Sequence, residues 1–421
     1  MNKWKFYNPG GMQDILKGNC YNKREAEEKL RRLYQSNGFM EIETPVIEFY
    51  DVFAASGSET AMNSPFKMID EKGRILTLRP DMTIPAARVA STKLKSDDLP
   101  AKFFYSGKCF RAAEYNGGQM REFTQSGAEI IGSGSLFYDG LMISTAVDAM
   151  KTIGLGEFTI ELGQVEFFRR LMDLADFNEQ DSEKIRLLID SKDFFGVEEM
   201  LVGRDMKSEV RELLTNLPNL YGEKEMLLEV RGMTTDSKLL NVLDQLSELL
   251  EILEDFGVSD FISVDFGMVS RLDYYTGIIF RGMTYGMGFP ILGGGRYDTL
   301  CGKFGKPMPA TGFSLGVDRA LTALYRNKGE IPEEYSADSI ICFEVNARKD
   351  AMMVAVALRG QGLNIEMSPL EKNVEDIKNY ATTKGIKGII IVKDNGIIKI
   401  LDLKNGTTET TDIKSLTGGA S

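Results

Sequence analysis

Two strand-length segments, residues 103–111 and 121–131, flank the run Tyr115-Asn116-Gly117-Gly118-Gln119, and this pairing constrains the fold more than any other feature. Asn-Gly and Gly-Gly supply the backbone freedom of a tight reversal, so the two runs are expected to form a long antiparallel hairpin. Side chains alternate across a strand, so Gln125, Gly127 and Glu129 share one face of the return strand. That face is polar. It reads either as a ligand-facing surface or as a solvated sheet face.

Helical patterns surround the hairpin. Ala26, Leu30, Leu33 and Tyr34 recur at helical spacing, predicting an amphipathic helix over 22–37 that stops at Gly38. A strand over 39–45 should follow and end at Pro45. Another strand, 75–78, runs into Arg79-Pro80-Asp81-Met82-Thr83, where the proline ends pairing and leaves Asp81 and Thr83 at the strand's mouth. Between about 164 and 260 the pattern is mostly helical. Leu239, Val242, Leu243, Leu246, Leu249, Leu250 and Leu253 form one apolar face there, read as core rather than as a partner surface.

A polar linker around 329–336 precedes a compact α/β unit, 337–421. Strands are expected at 339–345, 363–367, 388–393 and 397–403, with helices near 348–358 and 374–384 and no marked basic stripe on them. The fold class is therefore α+β: an antiparallel sheet flanked by helices within 1–330, a helical insertion, and a small C-terminal α/β domain.

The chain of 421 residues contains no histidine. That removes the His general base, the Ser-His-Asp triad and the His metal ligand. Drift explains such a composition, and so does economy in a protein made when histidine is scarce. A formal net charge of −12 opposes extended contact with a polyanion. Cys20, Cys109, Cys301 and Cys342 lie far apart without a C-x-x-C pair, so buried free thiols are expected rather than zinc or disulfides. No metal or cofactor is implied. The N-terminal run lacks a signal-peptide pattern and no apolar stretch reaches spanning length, so a cytoplasmic protein without membrane association is expected.

Two further segments carry chemistry: Ser270-Arg271-Leu272-Asp273-Tyr274-Tyr275-Thr276-Gly277, and Gly293-Gly294-Gly295-Arg296-Tyr297-Asp298. Together with Gly312-Phe313-Ser314-Leu315-Gly316-Val317-Asp318-Arg319 and the helix expected at 320–325, they resemble the catalytic core of histidyl-tRNA synthetases, which are class II enzymes. The resemblance covers residues 1 to about 330, and the C-terminal unit resembles a shortened anticodon-binding domain.

By that resemblance Asp81, Thr83, Arg111, Gln125, Glu129, Tyr274 and Tyr275 line a histidine pocket, with Met82, Arg271, Gly293, Gly294 and Arg296 as further wall. Carboxylates suit a ligand whose ammonium and imidazole groups donate. A tyrosine ring packs flat on an imidazole. Arg319 matches an ATP-binding arginine, unless it is kept as a structural ion-pair partner.

The departures point away from catalysis. Ser270 stands where the synthetases carry an arginine that stabilises charge during activation, and a hydroxyl supplies no fixed positive charge. Arg271 is one residue away, and on a strand it would face the opposite side unless a bulge re-aimed it. Ala113, Glu114 and Thr124 also replace family residues, and a carboxylate at 114 repels a triphosphate.

These departures are similar to those of the synthetases' non-catalytic paralogues, the regulatory subunits of ATP phosphoribosyltransferase. Membership implies a hetero-oligomer with a short-form catalytic subunit in the first step of histidine biosynthesis. It also implies L-histidine as allosteric effector, a class II-like self-associated dimer and no tRNA partner. The competing readings are a divergent histidyl-tRNA synthetase and a stand-alone histidine sensor.

Overall fold

The structure is a computed structural model, describing residues 3–57, 65–112, 120–269, 274–328, 336–370 and 373–417. The chain forms two compact units, Met1–Asp14 with Lys23–Glu330, and Ile15–Asn22 with Ile331–Ser421.

Among the described residues of the first unit, a nine-stranded sheet is built from β1 (Met40–Glu41), β5 (Ala101–Phe110), β6 (Glu122–Ile131), β7 (Phe158–Gln164), β8 (Tyr221–Gly222), β9 (Ile262–Asp265), β10 (Ile278–Thr284), β11 (Leu292–Arg296) and β12 (Ala310–Gly316). Their order across the sheet is β1-β5-β6-β12-β11-β10-β7-β9-β8. Neighbours run antiparallel except β1 beside β5 and β7 beside β9. The expected hairpin is present: β5 and β6 pair from Ala101↔Ile131 to Phe110↔Glu122. Its turn lies outside the described residues. A separate three-stranded sheet places β4 (Ile75–Leu78) between β2 (Ile47–Phe49) and β3 (Lys67–Ile69).

Helices cover the large sheet because their apolar stripes need burial. The first, α1 (Lys17–Ser36), begins five residues before the sequence pattern suggested and buries Ala26, Leu30 and Tyr34. Gly38 follows with φ +77°, the left-handed conformation that a side chain resists. The run 39–45 contributes only the two residues of β1 as strand, short of the expected seven. The insertion is helical from Val165 to Asp255 apart from β8 and short turns, and its last helix, Ser237–Asp255, buries Leu239, Val242, Leu243, Leu246, Leu249 and Leu253. These side chains are core, as their spacing indicated.

The second unit has a five-stranded sheet in the order β14-β13-β15-β16-β17, formed by β13 (Ser339–Phe343), β14 (Ile365–Pro369), β15 (Gly388–Val392), β16 (Ile397–Asp402) and β17 (Thr407–Asp412). Helices Arg348–Gly360 and Val374–Thr383 accompany it. Strand β17 was not expected. Its sequence, Thr-Thr-Glu-Thr-Thr-Asp, has no apolar alternation, and it exists because β16 offers a hydrogen-bonding edge. Cys20 is exposed, correcting the expectation that all four thiols are buried. Among the described residues no helix is long and apolar enough to cross a membrane.

Candidate functional site

The register of β5 and β6 assembles the centre of the site. Tyr105 lies opposite Gly127, so its side chain shares the face that carries Gln125 and Glu129. A Cβ at Gly127 would stand 2.4 Å from the Phe313 carbonyl oxygen and 2.9 Å from the Tyr105 ring, so glycine lets β12 and the tyrosine close over the strand. The face is buried, which excludes the solvated-sheet reading: Gln125 and Glu129 are almost wholly shielded from solvent.

Glu129 is 0% exposed. It accepts hydrogen bonds from the Tyr105 hydroxyl at 2.7 Å and the Tyr297 hydroxyl at 2.6 Å. Burial pushes its carboxyl up to about 8, more strongly than the two hydroxyls pull it down, and the Asp81 carboxylate adds a smaller upward push. Tyr105 also meets the Thr83 hydroxyl at 3.2 Å. Burial raises the Tyr105, Tyr274 and Tyr297 phenols well above their usual range, so all three remain donors at neutral pH.

Asp81 stands before the helix α2 (Thr83–Lys93) and accepts the Ile84 amide at 3.0 Å. Its other oxygen faces the Gln125 amide nitrogen at 3.4 Å, and the Gln125 oxygen takes the Cys109 thiol at 3.0 Å. Burial holds that thiol up at about 12, so it is a weak donor and not a nucleophile. Two polar groups thus lie side by side: Cys109, Gln125 and Asp81, and Thr83, Tyr105, Glu129 and Tyr297.

Beside these groups opens a cavity of about 330 Å³ whose lining includes Arg111, Phe123, Gln125, Tyr275, Gly293 and Arg319. Gln125 belongs to both the cavity and the first of these groups. The Arg111 guanidinium lies 4.9 Å over the Phe123 ring and donates to the Pro80 carbonyl at 3.3 Å. Arg319, at the start of the helix Val317–Lys328, lies 4.8 Å over Phe289 and donates to the Pro290 carbonyl at 3.2 Å. Among the described residues neither has a carboxylate partner. Burial, and then Arg111, lowers the Arg319 pKa, which is the signature of two cations sharing one hollow. Asp318, also in the cavity lining, fixes strand β6: it binds the Lys23 ammonium at 2.6 Å and accepts the Thr124 amide at 2.6 Å.

The glycine run divides its labour. A Cβ at Gly293 would meet only the Phe280 carbonyl oxygen, at 3.9 Å, and so faces open space. At Gly294 it would lie 2.4 Å from the Gly312 carbonyl oxygen and 2.6 Å from the Phe280 ring. Close packing requires that glycine.

Arg296 is corrected from wall to buried strut. It pairs with Asp139 at 2.6 Å and Asp298 at 3.1 Å, because strand alternation turns it away from the cavity. Met82 packs in a small core with Ala86, Tyr105 and Cys109. Tyr275 lines the cavity, whereas Tyr274 stands edge-on to Tyr297 with ring centroids 6.0 Å apart. Ser270, Arg271, Ala113 and Glu114 lie outside the described residues.

Sequence reasoning passed over Tyr105 and Tyr297. The hairpin register held the signal for Tyr105, since Arg111 opposite Arg121 sets Tyr105 opposite Gly127. Nothing local announced that Tyr297, two residues beyond the glycines, would reach Glu129.

A cavity lined by two guanidiniums without a carboxylate partner among the described residues, set on an antiparallel sheet with helical cover, accompanies a class II synthetase-like fold. The histidyl-tRNA synthetase family profile matches residues 11–320. A relative from Acetivibrio thermocellus described as an ATP phosphoribosyltransferase regulatory subunit is 44% identical over 416 residues, 99% of each chain. A Bacillus halodurans crystal structure described as an ATP phosphoribosyltransferase regulatory subunit/histidyl-tRNA synthetase superposes with TM-score 0.82 at 29% identity, covering 93% of this chain and 99% of that one. The histidyl-tRNA synthetase of Nostoc sp. shares the fold, with TM-score 0.81 at 20% identity over 98% of each chain. The chain belongs to the family of ATP phosphoribosyltransferase regulatory subunits, which carry the histidyl-tRNA synthetase-like fold.

Proposed function

We propose that this chain is the non-catalytic subunit that activates a short-form ATP phosphoribosyltransferase and makes it sensitive to feedback by L-histidine. The observation that carries the reading is the end-to-end 44% identity to a relative of that description. The site supports it chemically. The ligand's carboxylate is matched by Arg111 and Arg319 and its donors by the Gln125 side chain, which Asp81 backs from behind, whereas Glu129 is sealed beneath the cavity by Tyr105 and Tyr297 and supports the site from below. Tyr275 supplies a flat wall. Chemistry on ATP and phosphoribosyl pyrophosphate would take place on the partner. Regulation follows from linkage: histidine shifts the assembly by as much as its affinities for the active and inhibited arrangements differ, about 1.4 kcal/mol for each tenfold.

Self-association as a class II-like dimer belongs to the same reading and is supported by the exposed apolar side chains Met40, Ile47 and Phe49. The test is reconstitution. Purified chain added to a short-form catalytic subunit should stimulate phosphoribosyl-ATP formation, and histidine should suppress the stimulated rate. No stimulation across a wide range of ratios would overturn the assignment.

One observation favours a second reading, a divergent histidyl-tRNA synthetase: Arg111 and Arg319 share the cavity without a carboxylate partner among the described residues, as a nucleotide's phosphates would require. Histidine-dependent exchange of pyrophosphate into ATP is expected to be absent, and its presence would select the synthetase.

A further inference from the structure

The helix Arg348–Gly360 in the C-terminal unit reads Arg-Lys-Asp-Ala-Met-Met-Val-Ala-Val-Ala-Leu-Arg-Gly, apolar on more than one side. Ala351, Val354, Ala355 and Leu358 are buried against the sheet and account for one side. The opposite side is exposed: Met352 at 51% and Val356 at 69%, with Val345 just before the helix at 86%. Exposed apolar side chains grouped on one helix face mark an interaction surface. Lys349, Met352, Val356 and Arg359 follow one another at spacings of three, four and three, so they form one stripe, with Arg348 at its edge.

The charge around the apolar centre decides what fits. None of these positions is acidic, and Arg348, Lys349 and Arg359 have no carboxylate partner among the described residues, although Arg359 donates to the Ile365 carbonyl at 2.7 Å. The sequence reading of helices without a basic stripe therefore missed a basic rim, in a chain of net charge −12. A second copy of the same face would set like charges against each other, which is unfavourable. A phosphate backbone asks for a row of cations rather than methionine and valine between them. An apolar centre inside a cationic rim is complementary to a protein face with an apolar centre ringed by carboxylates.

We infer that the outer face of helix 348–360 docks the catalytic partner, through an apolar patch edged with Asp and Glu on that subunit. The inference rests on the proposed function and adds to it the surface that makes contact.

The experiment uses the full chain and the short-form catalytic subunit. Wild-type chain must first stimulate the partner; if it does not, the functional reading fails and not this surface. Given stimulation, Met352→Glu/Val356→Glu should raise the concentration for half-maximal activation at least tenfold. Arg348→Glu/Lys349→Glu should raise it several-fold and flatten its dependence on salt. Both variants should keep wild-type far-ultraviolet circular dichroism and histidine binding, because the altered side chains are exposed and lie outside the cavity. Unchanged activation by both folded variants would overturn the inference. So would a drop in the molar mass of the chain measured alone, which would make the face a contact between copies.

Discussion

Replacing Glu129 by Gln should make this protein more stable, and increasingly so as pH rises. The folded carboxyl keeps its proton up to about pH 8, whereas an unfolded one releases it near 4.5. Across that window the folded state binds more protons than the unfolded state, so wild-type stability falls as pH increases. The full difference corresponds to roughly 5 kcal/mol at 1.36 kcal/mol per unit, reached above pH 8, with about 3 kcal/mol already present at pH 7. Glutamine is nearly isosteric, accepts from one tyrosine hydroxyl and donates to the other, and carries no charge to desolvate. Urea unfolding of wild type and Glu129→Gln at intervals from pH 5 to 9 measures the effect. The two proteins should be nearly equal at pH 5 and diverge steadily to pH 8. Parallel curves, or a variant less stable than wild type at pH 8.5, would refute the reasoning, because Glu129 would then be ionised and favourably compensated inside the fold.

The glycines of β11 offer a contrast between adjacent residues. Gly294→Ala should lose about 1–3 kcal/mol through its clash with the Gly312 carbonyl and the Phe280 ring, whereas Gly293→Ala should change stability by less than about 1 kcal/mol yet weaken histidine binding. Thermal unfolding and titration calorimetry separate the two, and equal losses of stability would show that the faces are misassigned. Arg296→Met should cost about 3–5 kcal/mol by stranding Asp139, and adding Asp139→Leu should recover most of it. Urea unfolding of the single and double variants checks this, and a double variant no more stable than Arg296→Met would mean that the pair is not what Arg296 contributes.

Local sequence carried much of the architecture. The hairpin, strand β4, the leucine face of helix Ser237–Asp255 and the alternating elements of the C-terminal unit all announce themselves through period and turn chemistry, which act between near neighbours. Strand β17 escaped because a threonine-rich edge has no pattern of its own. The candidate site was legible in part. Arg111, Gln125, Tyr275, Gly293 and Arg319 meet at one cavity, while Arg296 and Met82 turn into the core.

What sequence alone determined is residue chemistry and local conformation: no imidazole for proton transfer, a polar face on β6, arginines at strand and helix ends. Only the tertiary structure decided which of those groups share a space, because β6 meets β12, and through it β11, across a long separation in the chain. That packing shields Glu129 from water and sets two tyrosine hydroxyls upon it. The altered proton affinity of Glu129 arises from this removal of solvent, a property of the assembled sheet and of no single segment.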